Sequence, residues 1–340
     1  MDKKKILLVA VAVIVVILGS LYSSSTKKNK YKNFVKEQTE AELTVISQVM
    51  DQLEENRWIS VEKGDDTYGI KAEREEKIDL PETEYLTKEV LRDGDMETII
   101  YLDGDGVERR RVGIEYYDAP KLAILIDDVG MNLGAVDSFG EIEEALTFAT
   151  IPFLPKSREG TEKLKGYGFE VMLHMPMAGS SDSLNGRTKG ILLPTMSKTE
   201  IYDTFDRALE DVGEVDGFNN HMGSRFTSDG VKMKELLTYA KKKELYFVDS
   251  NTAIKNMGYP ISKEIGVPTY YCSHFLDNSR DMNDMKKEIE TAVKMSKSKG
   301  EVLVIGHYHK GLAVAIKEML PYIADSGVKL VFASELLESN

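Results

Sequence analysis

Six residues of this 340-residue chain carry hydrolytic chemistry at the ends of short apolar runs. Asp127 and Asp128 follow LAILI (122–126), and His174 follows FEVML (169–173). His221 follows GFNN (217–220), Asp249 ends LYFVD (245–249), and His307 follows VLVIG (302–306) with His309 two residues on. The fifth histidine of the chain, His274, comes shortly after PTYY (268–271). Each residue also has a bland explanation. Asp127-Asp128 and Asp249-Ser250 suit helix caps, His174 in MLHMPM suits a satisfied core histidine, and His221 in NNHMGSRF suits a loop histidine bonded to backbone. Their shared placement favours a site. One carboxylate and two imidazoles make a three-ligand set with positions left for water and substrate, a nitrogen–oxygen mixture that zinc accepts. A second carboxylate can take a proton from water, and a further histidine can protonate a leaving amine. Asp127, Asp128, His174, His221 and His307 supply those types.

The elements that must position them alternate strand and helix from Lys121 onward. The runs above, with TFATI (147–151), PTYY and VKLVF (328–332), are short and often β-branched, as parallel strands buried on both faces are. Ser197-Lys198-Thr199-Glu200 is a capping-box sequence opening one helix, and Lys232–Lys243 and Met282–Ser298 read as others. About eight strands over this length predict an α/β fold, a distorted (β/α)7-8 barrel whose active residues share the C-terminal rim. A doubly wound open sheet is the alternative, but no G-x-G-x-x-G follows the first strand.

Ahead of that domain, residues 31–118 read as a small α+β module or stalk. Leu43, Ile46, Val49, Met50 and Leu53 mark an amphipathic helix, and Asp103-Gly104-Asp105-Gly106 marks a hairpin turn between ETIIYL and RRRVGIEYY. Arg109, Arg110 and Arg111 suit a solvated strand edge. Ile6–Thr26 holds no charged residue, and 21 residues span roughly 30 Å of helix, one hydrocarbon core. Residues 1–30 are therefore expected to be a transmembrane anchor, with Lys3–Lys5 favouring an inside N-terminus and the remainder outside the cytoplasm. A cleaved signal peptide is the rival. The net charge of −13 excludes a dominant nucleic-acid footprint. The single cysteine, Cys272, rules out an intramolecular disulfide.

The strings LAILIDDVG, VMLHMPM, GFNNHMGSRFTSD, LYFVDSNT, FLDN and VLVIGHYH resemble the divergent polysaccharide deacetylase family, from about Lys121 to Leu337. The resemblance implies a distorted (β/α) barrel and a metal-dependent deacetylase acting on a glycan. It implies a base at Asp127, metal ligands at Asp128 and His174, an acid at His307, and an aspartate orienting that acid at Asp249. It also implies substrate contacts at Asn220, Arg225, Asp277 and Asn278. Two departures stand out. Well-characterised deacetylases carry H-x-x-x-H where this chain has Ala178, and NNHMGSR stands in place of their Arg-x-Pro-x-Gly. His221 is therefore expected to take the second imidazole position, with a divalent metal, Zn2+, as cofactor. A non-catalytic glycan-binding or envelope protein, or a hydrolase of another C–N or glycosidic bond, are the other readings of the same scaffold.

Overall fold

The computed structural model describes residues 25–338, apart from positions 58, 75, 77 and 79. These residues form two compact units that divide after Asp118. The expected membrane segment lies outside the described residues up to position 24, and among the described residues no helix is long and apolar enough to cross a membrane.

The first unit pairs helix α1 (Ser25–Leu53) with strands β1 (Ile59–Lys63), β2 (Thr67–Glu73), β3 (Thr87–Asp93), β4 (Met96–Leu102) and β5 (Glu108–Tyr117). The strands lie in the order β1-β2-β5-β4-β3. The three-and-four spacing of α1 buries Leu43, Ile46 and Met50 in one core with Ile70, Tyr101, Val112 and Ile114. The Asp103 carboxylate accepts the N–H groups of Asp105 and Val107 and closes the β4–β5 hairpin. The arginine run differs from its expected place. It lies on β5, the central strand, where Arg109 pairs with Glu40, Arg111 with Glu108, and Arg110 stands over the Tyr68 ring.

In the second unit β6 (Lys121–Val129), β7 (Thr147–Thr150), β8 (Glu170–Met177), β9 (Gly217–Met222), β10 (Tyr246–Asp249), β11 (Thr269–Phe275) and β12 (Glu301–His307) run parallel, each beside the next. Strand β12 pairs back onto β6 from Glu301↔Lys121 to His307↔Asp127. That closure makes a barrel and sets aside the open sheet. The expected eighth strand is only a wedge: β13 (Lys329–Val331) pairs with residues 121–123 of β6, while β7 takes the rest of the same edge from Leu125 onward. Seven strands therefore close the wall.

Alternation explains why nearly every strand residue is apolar. Ala123, Leu125, Met172, Val248, Leu303 and Ile305 fill the interior. Leu122, Ile124, Ile126, Val302 and Val304 face outward and pack beneath α2 (Val136–Phe139), α8 (Met282–Lys299) and α9 (Lys310–Asp325). Leu173, Phe218 and Phe247 do the same beneath α5 (Lys198–Val212) and α6 (Gly230–Lys242). The capping box forms at α5, with Ser197 Oγ accepting from Glu200 N and Glu200 Oε2 accepting from Ser197 N at 2.7 Å.

Candidate metal centre

Strand parity delivers the reactive side chains. On β6 the inward residues Ala123 and Leu125 are followed by Asp127; on β12 Leu303 and Ile305 are followed by His307; on β8 Met172 is followed by His174. His221 keeps the same parity as Asn219, which contacts His174 on the neighbouring strand. Asp128 should point out of the barrel, since successive strand residues face opposite sides. It does not, because its φ is 62°, in the left-handed region, and the β6–β7 register shifts between Ile126 and Val129. Aspartate tolerates that conformation better than most residues. The break turns two consecutive carboxylates toward one rim.

There Asp128 Oδ1 lies 2.9 Å from His221 Nδ1 and 3.3 Å from His174 Nε2, and the two ring nitrogens are 3.1 Å apart. These three residues each offer one ligand atom, all within 4.8 Å of one another, close enough to share an ion. Asp128 Oδ1 is buried with no hydrogen bond aimed at it. His174 Nδ1 is 2.7 Å from Asn219 Oδ1, which can only accept, so the proton sits on Nδ1 and Nε2 presents a lone pair. Burial holds the His174 imidazole below its ordinary pKa and keeps it neutral. Burial pushes against Asp128 too, but the imidazoles of His174 and His221 hold its carboxyl below the usual carboxylate range. Lone pairs that converge so closely need a shared proton or a cation between them. The residues fit a divalent ion.

Asn219 is fully buried and its amide nitrogen donates to Ser250 Oγ at 3.1 Å, which fixes the orientation of its oxygen. Asn219→Ala frees the His174 ring, and metal affinity is expected to fall by roughly 10–100-fold. Competition against a chromophoric chelator measures this; an unchanged affinity would remove Asn219 as the residue that sets the tautomer.

Beside the triangle, Asp127 Oδ2 is 3.5 Å from His174 Nε2 and its Oδ1 is 3.9 Å from His307 Nε2. Burial, with the neighbouring Asp128 charge, raises the Asp127 carboxyl well above the usual range. His307 Nδ1 is 2.9 Å from Asp277 Oδ1, and the Asp277 hydrogen bond, against the opposing effect of burial, raises the His307 pKa to about 9.

Three expected roles change. Asp249 has the outward parity of Phe247, and its carboxylate accepts from Asn251 N, Asn256 Nδ2 and Tyr259 N, holding the loop after β10; it does not reach His307. Asp277, expected at the substrate, orients His307 instead. Parity could not have found it, because a register shift between Cys272 and His274 breaks β11 just before it. Asn220 is buried, its amide spent on Met222 O, Thr252 Oγ1 and Ser250 N, so it is no substrate contact. Arg225 ties two rim loops together through Asp182 at 2.8 Å, and Asn278 is exposed on the loop after β11. Ala178 is buried, and its carbonyl accepts the N–H groups of Arg225 and Phe226. Cys272 is buried inside the barrel, and burial raises its thiol to about 12, which leaves it inert.

A family model described as divergent polysaccharide deacetylase matches residues 124–337, the barrel wall apart from the first three residues of β6 and every residue of the centre. The chain belongs to the divergent polysaccharide deacetylase family. Within reach of this deacetylase-family chain are two curated bacterial relatives. The uncharacterized protein YibQ of Escherichia coli K12 is 32% identical over 219 residues, 64% of this chain and 68% of YibQ. An uncharacterized protein of Haemophilus influenzae is 34% identical over 187 residues, 55% of this chain and 66% of that one. The crystal structure of the uncharacterized protein ATU2773 from Agrobacterium tumefaciens matches at a TM-score of 0.60 and 17% identity, covering 64% of this chain and 89% of that one, which shows a shared fold.

Proposed function

We propose that the barrel is a zinc-dependent deacetylase that removes acetyl groups from an extracytoplasmic glycan, tethered to the membrane by the N-terminal apolar segment. The observation that carries this reading is the convergence of Asp128, His174 and His221, with Asp127 and His307 beside them. Asp128, His174 and His221 would hold the ion. Bound there, it supplies Lewis acidity, polarising the acyl carbonyl and making a nearby water acidic enough to attack at neutral pH. Asp127 takes the proton: its Oδ1 is buried and free of hydrogen bonds, and its raised pKa makes it a competent base. His307 enters from β12, oriented by Asp277 and charged at neutral pH, and gives a proton to the departing amine or alcohol. The acyl–N or acyl–O bond breaks, and acetate and the free sugar leave.

The test is acetate release from acetylated sugar oligomers by the full chain, alongside its metal content. Acetate release that needs the bound metal is expected. Absence of release from a broad panel, with glycan binding intact, would replace this reading with the non-catalytic one, to which the alanine at position 178 lends weight.

A further inference from the structure

His309 has no part in the chemistry above, yet its ring is held at both ends. It precedes helix α9, and its Nδ1 accepts the N–H of Leu312 at 3.2 Å, so its own proton sits on Nε2. That Nε2 lies 3.1 Å from Asp277 Oδ2. Asp277 is buried; its Oδ1 faces His307 Nδ1 at 2.9 Å, and Oδ2 also accepts the backbone N–H of His307 at 3.2 Å and lies 3.4 Å from Arg280 Nη1. A carboxylate is broad about its last torsion. Without His309, Oδ2 would keep only the His307 backbone N–H and the longer Arg280 contact, and the plane of Asp277, with the His307 ring on it, would be held less tightly.

We propose that His309 is a positioning residue for His307, clamping Oδ2 of Asp277 so that Oδ1 stays turned to the His307 ring. The helix cap is what makes the clamp stiff, because α9 packs on the barrel through Leu312, Ala313 and Ile316 and carries the ring with it. The ordering of His307 is then built into the fold before substrate arrives, which lowers the entropy lost in the transition state. The role rests on the deacetylase reading for its kinetic consequence but not for its geometry.

His309→Ser separates the two bonds of the ring. Serine is a good N-cap and keeps the helix start, but it is too short to reach Asp277. His309→Ala loses both. The full chain is labelled with ¹⁵N-histidine; with five histidines the imidazole N–H resonances are few, and His307→Gln assigns the one from residue 307. In His309→Ser the His307 Nδ1–H resonance should shift and broaden, and kcat should fall by up to roughly 10²-fold at unchanged KM, the scale of a small misplacement. His309→Ala should do the same and also melt at lower temperature. A His307 resonance in His309→Ser identical to that of the unaltered chain would overturn the proposal and leave His309 as a helix cap. If the unaltered chain releases no acetate, the resonance decides alone, so failure of the deacetylase reading stays distinct from failure of the clamp.

Discussion

Asp128→Ala should lose bound metal and acetate release together. Among the described residues its side chain is the one carboxylate that faces both His174 Nε2 and His221 Nδ1, and without it two imidazoles are left, a poor zinc site. Alanine has a second effect at this position, because a φ of 62° costs an ordinary residue about 1–2 kcal/mol. Asp128→Asn is the informative companion. Asparagine accepts the left-handed backbone, so the β6 break survives while the charge goes. Both variants should purify with little metal, and Asp128→Asn should melt closer to the unaltered chain than Asp128→Ala. Metal analysis after dialysis, paired with thermal denaturation, reads both. Stoichiometric metal in the two variants would remove Asp128 from the ligand set.

His307→Ala should fail in a different way, keeping its metal and losing ~10²–10⁴-fold in turnover, the range for a positioned general acid. Its ring reaches the centre from β12, paired with Asp127 in register, and it is not one of the Asp128–His174–His221 set, although with Asp127 and Asp128 it forms a second group close enough to share an ion. The pH dependence follows from the sign of its shift. The hydrogen bond to Asp277, with the charges of Asp127, Asp277 and Asp128, raises the His307 pKa to about 9 against the effect of burial, so the ring holds its proton at neutral pH and loses it as pH climbs through that value. The alkaline limb of the rate profile should sit there. In Asp277→Asn its hydrogen bond and charge are gone while Asp127 and Asp128 still raise the ring, so the limb should move down from about 9 toward, but not fully to, the ordinary histidine value of ~6.5. At pH 8 that variant should be far slower than the unaltered chain, and at pH 6 much less so. An alkaline limb that stays in place in Asp277→Asn would mean that His307 is not the acid.

Asp249 and Asp277 show how far a linear reading goes. Both follow strand runs, both are buried, and both accept several hydrogen bonds. Counting parity back along the run separates them in part: Asp249 shares a face with Phe247, which packs outward under the helices, and so cannot meet His307. Asn220 is excluded by the same count, as it shares its face with Phe218. Asp277 lies past a break in β11, where counting no longer carries a direction. The arginine run misled for a related reason. Its charge suits an edge, but β2 pairs parallel to β5 across a long crossover, a pairing no local pattern announces, and so β5 ends in the middle of the sheet.

By itself the sequence determined the strand runs, the helices between them, the capping box at Ser197, the hairpin at Asp103, and the common rim of Asp127, His174, His221 and His307. Those depend on periodicity and on turn and cap chemistry, which act over a few neighbouring residues. Tertiary structure alone decided that seven strands close the barrel, that Asp128 turns inward, and that Asp277 rather than Asp249 holds His307. Closure depends on β12 meeting β6 across some 180 residues, the left-handed turn at Asp128 on the shifted pairing of β6 with β7, and the Asp277 contact on a broken strand. Each is set by packing between distant segments, and no local run of residues contains it.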